Sequence, residues 1–391
     1  MIPSTVTYQS RVCTVFVISD GAFDGCSEIT SVTIPNGIIS IGENSFKDCS
    51  GISSITIPDG IKSIGRNAFW RCCGVTSITL PRSIQNIGSS AFSDCNGLMV
   101  VNWNADSCTT DNPLFTYSYG NYSNISTINI GGNVRFLPTY AFYDCRNVVS
   151  VNLSDSITSL TIDDWVPFNS FFNLRTPIYN SRIFVHMPWG GLLDSSTYSI
   201  PEGITTICDY AFWGCGLTSV SIPSTVTTIG KEAFWDCRGL TSVSVPSSVT
   251  SVGDFAFNEV TNVQYSGTAT GAPWGASCLN GYVDGYLVYE DSTKQVLWRC
   301  GHGATSVNLP NSVKTIGGGA FRECWSLNSV TMGNSVTTLG DGAFMMCNGL
   351  ASVQLSDSLN YIESGAFSCC FALSSISLPE SITSIGDCAF E

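Results

Sequence analysis

Histidine is almost missing from this sequence: His186 and His302 are the only two in 391 residues. Charge is scarce too, with Asp, Glu, Lys and Arg making up 12% of the chain. A Cys–His or Ser–His catalytic pair would have to use one of those two imidazoles, and neither has a fitting neighbour in sequence. Metal binding is disfavoured on the same ground, because no Cys-x-x-Cys spacing accompanies the isolated histidines. Each histidine therefore reads as a hydrogen-bonding or surface residue. Basic residues number 16 against 30 acidic ones, a net charge of −14. That balance argues against a nucleic-acid partner, which needs clustered Lys and Arg, and against an anionic membrane surface. No apolar run approaches the length of about 18 residues that a bilayer span requires. The opening Met1-Ile2-Pro3-Ser4-Thr5 lacks the basic stretch and apolar core of a signal peptide. Whether a signal was removed or export takes another route is left open.

What the chain does have is apolar surface, 43% of its residues, so it can bury a core despite its low charge. It also has a period. Phe23, Phe46, Phe69 and Phe92 lie 23 residues apart, as do Phe234 and Phe257, and Phe321, Phe344, Phe367 and Phe390. Phe142 and Phe212 head similar units, and the step from Phe212 to Phe234 is one residue short. Trp165 stands where another Phe falls due, and Phe115 marks a degraded unit.

One unit shows the plan. Val243 and Val245 alternate with Ser242 and Ser244, the period-2 signal of a short strand. Pro246 follows, in the place held by Pro58, Pro81 and Pro223, and a residue without an N–H suits the end of a ladder. Gly230 recurs as Gly42, Gly65, Gly88, Gly253, Gly317, Gly340 and Gly386, a corner that needs either a positive φ or close backbone approach. Ala233 and Phe234 then face inward. A lone unit cannot offset its ordering entropy by burying one ring, so the units must stack.

The composite Ile-Pro-x-Ser-Val-x-x-Ile-Gly-x-x-Ala-Phe-x-x-Cys-x-x-Leu-x-x-Val is matched best from Ile57-Pro58 through Ile78 and from Ile222-Pro223 through Val243. It resembles the BspA-like leucine-rich repeats, and the resemblance covers most of the chain. It implies a leucine-rich-repeat solenoid, a right-handed superhelix of 23-residue coils with a parallel sheet on the concave face. It also implies a secreted or cell-surface protein that attaches to host or neighbouring cells. The expectation is a single solenoid over residues 1–391, acting as an adhesin or ligand-binding scaffold for protein or glycan partners. No cofactor and no catalysis are expected. The alternative is a structural spacer presenting another domain. The chain opens inside a unit at Ile2-Pro3 and stops in mid-repeat at Phe390-Glu391. Because a solenoid needs polar caps, a longer native protein is expected.

Three stretches break the period, at about 104–124, 169–200 and 264–305. The latter two alternate aromatic and polar residues around turn residues and read as inserted β-hairpins. Their aromatics, Tyr179, Trp189, Trp274, Tyr282, Tyr286 and Trp298, are candidate partner contacts, since Tyr and Trp dominate interface hot spots. The competing reading is that they pack the hairpins against the solenoid flank. On the strand face, paired hydroxyls such as Ser54/Thr56 and Ser242/Ser244 form a uniform polar surface. Asn102, Asn152 and Gln354 interrupt it and are further contact candidates. Ten of the 18 cysteines hold one repeat position, three after the Phe. Stacked side chains point the same way, which opposes bridging, so these read as a buried ladder of thiols. The other eight, among them Cys73, Cys108, Cys278 and Cys300, leave room for one or two bridges.

Overall fold

The computed structural model describes residues 2–110, 112–116, 123–163, 168, 170–188 and 196–391. It is a β-solenoid, with no helix among the described residues. Two compact units divide the chain: Met1–Leu193 with Gly203–Ala211, and Asp194–Glu202 with Phe212–Glu391.

Each regular coil contributes two short parallel strands, where the sequence pattern shows one. In the first unit, Ser31–Thr33 pairs in register with Ser54–Thr56. Ser77–Leu80, Val100–Trp103, Thr127–Ile130 and Ser150–Leu153 form a second parallel sheet. In the second unit, Ser306–Asn308, Ser329–Thr331 and Ser352–Gln354 do the same. The central Val or Ile is turned inward and the flanking hydroxyls outward, as at Ser54, Ile55 and Thr56. The additional strand is only two residues long. Val17–Ile18, Ser40–Ile41, Ser63–Ile64 and Asn86–Ile87 make one such ladder, and Thr315–Ile316 through Ser384–Ile385 another.

Between these strands lies the phenylalanine spine. Phe23, Phe46, Phe69 and Phe92 stack with centroids 5.1–5.3 Å apart and planes within 6°. Phe321, Phe344, Phe367 and Phe390 repeat this at 4.6–5.3 Å. The spacing follows the strand separation of about 4.8 Å, which fixes the rise per coil. The ladder cysteines serve the same stack. Cys49, Cys72 and Cys95 donate to the carbonyls of Phe23, Phe46 and Phe69, at 3.0–3.1 Å, and Cys347 donates to Phe321 at 2.8 Å. A thiol fits because it is small, apolar enough to bury and still able to cap a carbonyl. All 18 cysteines are unbridged, including the eight outside the ladder. Burial pushes the thiols of Cys95 and Cys145 up to about 12.

The recurrent glycine is explained by close approach, not by φ. A Cβ on Gly65, Gly88 or Gly253 would sit 2.3–2.5 Å from a backbone nitrogen of the preceding coil, and none of the three has positive φ. The left-handed residues come two positions later, at Asn44, Asn67 and Glu232, and again two after the Phe, at Asp48, Arg71 and Asp236. That conformation costs an L-residue roughly 1–2 kcal/mol. It is offset by a ladder in which alternate N–H groups reach the next coil: Asn44 to Arg66, Phe46 to Ala68 and Asp48 to Trp70, all at 2.8–2.9 Å.

Irregular segments depart from the sequence reading in particular ways. Residues 5–14 form an antiparallel hairpin, Thr5–Tyr8 with Arg11–Thr14, and not part of a repeat unit. Phe115 stacks on Phe92 at 5.8 Å, and Ala105, Cys108 and Leu114 are buried with it, so this stretch contributes core to a coil of its own. Trp165 lies outside the described residues. The ring stacked on Phe142 is Phe168, at 6.3 Å. The second insert has its antiparallel pair at Ile178–Tyr179 and Ile183–His186, and the latter strand also joins Thr206–Ile207 in parallel.

Candidate functional site

The third insert is a meander of three antiparallel strands, Tyr282–Asp284, Leu287–Tyr289 and Val296–Cys300. The turn between its second and third strands is made by Lys294, left-handed at φ 54°. Its ammonium pairs with Asp284 and lies 5.7 Å from the Tyr282 ring and 5.9 Å from that of Tyr289. Asp291 caps the same turn, accepting from the Thr293 N–H at 2.9 Å. The last strand then enters the solenoid, Val296 and Leu297 pairing in parallel with Thr315 and Ile316. The meander is thus anchored by the repeat's own two-residue ladder.

The sequence-predicted contacts divide sharply by exposure. Tyr282 and Tyr286 are exposed and Trp298 is half-buried, on the strand that joins the solenoid. Trp274 is buried at 6% exposure, packed 5.2 Å from Tyr265 and 6.1 Å from Phe257, its indole N–H donating to the Thr270 carbonyl at 2.8 Å. It is a core residue and offers no accessible face. In the second insert, Tyr179 is exposed and stacked 5.9 Å from Phe184, while Trp189 lies outside the described residues.

The strand that carries Trp298 also carries Arg299, and the two side a cleft in the second unit. One part, about 610 Å³, is lined by Trp298, Arg299, Leu279 and Gly317. The adjoining part, about 540 Å³, shares Arg299, Ser277 and Gly318 with it and adds Glu259, His302, Arg322 and Asp341. Four of its lining residues, Gly275, Gly318, Gly319 and Gly342, have no side chain, which leaves the volume open. The Arg299 guanidinium donates to the Gly319 carbonyl. His302 Nδ1 is 3.1 Å from the Glu323 carbonyl, an acceptor only, so Nδ1 carries a proton and donates. Nε2 faces Glu259 at 3.9 Å. Arg322 pairs with Glu323 at 3.2 Å. Of these cleft residues only Trp298 is a contact candidate in the sequence, where His302 reads as isolated and Gly317 as a repeat corner, because they come from coils that the meander separates.

On the strand face of the first unit, the candidate asparagines form an amide ladder. Asn102 donates to Thr79 Oγ1 at 3.1 Å, Asn129 to Asn102 at 2.7 Å and Asn152 to Asn129 at 2.7 Å. Asn129 was missed from sequence because its coil is 27 residues after that of Asn102, yet the Ile-Asn-Ile alternation marks it. Gln354 is exposed in the second unit, opposite Thr331. A further exposed aromatic, Trp325, lies under the Arg238 guanidinium at 4.5 Å. Among the described residues, no group of three or more His, Cys, Asp and Glu is placed to hold a metal ion, and no helix is long and apolar enough to cross a membrane.

Several solved structures resemble the chain. A leucine-rich repeat protein from Bacteroides ovatus is 24% identical, covering 98% of this chain and 82% of its own, with a TM-score of 0.41. A leucine rich cell surface protein from Faecalibacterium prausnitzii is 24% identical over 100% and 77%, with a TM-score of 0.29. The pneumococcal vaccine antigen PcpA is 21% identical over 97% and 82%, with a TM-score of 0.30. No curated protein matches the chain significantly. Residues 16–119, 114–176, 193–269 and 298–391 match the model of the BspA type leucine rich repeat region, in six copies. With most of its length matched, and with the same Phe, Gly and Cys positions building each regular coil, the chain belongs to the BspA type leucine-rich repeat family.

Proposed function

We propose that this protein is a secreted or cell-surface adhesin, a non-catalytic scaffold that binds protein or glycan partners. The observation that carries the reading is the contrast between a repetitive body and an irregular, solvent-open cleft at the third insert. Family membership supports a binding scaffold, and the surface placement that the family resemblance implies supports adhesion. The body's hydroxyl face offers many weak hydrogen bonds, each worth about 1 kcal/mol net against water. An aromatic anchor contributes about 2 kcal/mol or more when truncated, so the insert is the better place for affinity. Tyr282, Tyr286 and Trp298 are the contact candidates there, with Tyr179 on the second insert.

The test is an array of extracellular matrix proteins and glycans probed with the purified chain. Saturable binding to at least one of them is the expected result. Silence on both arrays removes the adhesin reading and leaves a spacer that presents another domain.

A further inference from the structure

We infer that the cleft beside the third insert is a binding site for a neutral oligosaccharide, an inference that rests on the binding-scaffold reading. Its two parts differ in chemistry. The Trp298 part has an indole and Leu279 beside Arg299, whereas the adjoining part is walled by Glu259, His302, Arg322 and Asp341. A pyranose has the same division, with C–H groups on its faces and hydroxyls around its rim. The partial positive charge of those C–H groups suits the negative face of an indole ring. The hydroxyls both donate and accept, and carboxylates accept only while guanidinium groups donate only, so a rim of hydroxyls can use both.

Charge narrows the choice. Arg299 and Arg322 stand against Glu259, Glu323 and Asp341. With two cations beside three anions, a strongly charged ligand of either sign meets repelling as well as attracting groups. Volume agrees: each part falls within the range of about 300–1,000 Å³ usual for small-molecule sites, and the two share Ser277, Arg299 and Gly318. A ligand longer than one ring can pass from the indole to the polar wall.

Gly318 allows a test that spares the fold. It lines both parts, is not in the positive-φ region, and a Cβ there would meet only the Asp341 backbone, its carbonyl oxygen at 3.3 Å and its nitrogen at 3.8 Å. Gly318→Leu therefore places a side chain in the cleft at the cost of a small local shift. The probes are an array of neutral plant and microbial oligosaccharides, followed by calorimetric titration of each one that binds. Gly318→Leu and Trp298→Ala should each weaken binding at least tenfold, and Asp341→Asn at least threefold, all with unchanged circular dichroism. Equal affinity in Gly318→Leu and the parent chain overturns the assignment, because the sugar then sits elsewhere. Loss of folding in Trp298→Ala leaves the decision to Gly318→Leu and Asp341→Asn. If no neutral sugar binds while a matrix protein does, the saccharide site is wrong and the scaffold reading stands. If neither binds, both fall.

Discussion

His186 sits at 2% exposure on the strand Ile183–His186, with the Phe168 ring 5.6 Å away and, among the described residues, no hydrogen-bond partner for Nδ1. Burial lowers its pKa from 6.5 to about 3, so the folded chain keeps the imidazole neutral where the unfolded chain takes up a proton. Its stabilising contribution is complete above pH 6.5 and is lost as the pH falls from there towards 3. Within that window each pH unit costs up to about 1.4 kcal/mol. Urea midpoints measured between pH 7 and pH 4 should fall, and His186→Phe should flatten the fall. An unchanged slope in that variant would place the acid sensitivity on other groups. This burial is not legible in the sequence: an isolated histidine in an irregular stretch reads equally well as a surface residue. The phenylalanines were legible for the opposite reason. Stacking each ring on the next demands one rise per coil, and that demand writes a fixed spacing into the chain.

At the level of the element, the third insert separates two tryptophans that look alike in sequence. Trp274 lies in the core against Tyr265 and Phe257, whereas Trp298 stands on an edge of the cleft. Trp274→Ala should cost about 3–5 kcal/mol, the usual range for emptying a buried aromatic site. Trp298→Ala should cost about 1 kcal/mol or less, since only part of its ring leaves a packed contact. Denaturant titration of the two variants reads the difference, and equal losses would mean that Trp298 is a packing residue. The insert's existence was readable from the break in period, but its strand count was not. The pairing of Val296 and Leu297 with Thr315 and Ile316 depends on a two-residue ladder too short to leave an alternation signal. The cleft was hidden for the same reason: Glu259, His302 and Asp341 become neighbours only once the meander returns the chain to the stack.

Across the second unit, the repeat makes a claim about cooperativity. Phe234 is fully buried, stacked 4.8 Å from Phe212 and 5.2 Å from Phe257, and its N–H reaches the Ala256 carbonyl at 2.7 Å. Phe321 makes the corresponding contacts with Phe344, at 4.6 Å, and with the Ala343 carbonyl at 2.7 Å. Each ring thus touches its sequence neighbours in the array, and stability should follow a nearest-neighbour sum. Removing one ring, Phe234→Ala, should cost about 3–5 kcal/mol, with the loss concentrated in the coils that adjoin it. Hydrogen exchange should therefore rise around residues 212–264 well before it rises around residues 321–390. The most sensitive amides should be those of Phe212 and Gly214, which donate to the carbonyls of Ala233 and Trp235 in the altered coil. Acceleration of equal size at Phe344 and Phe367 would show that the unit opens as one cooperative body, and the nearest-neighbour account would then be wrong.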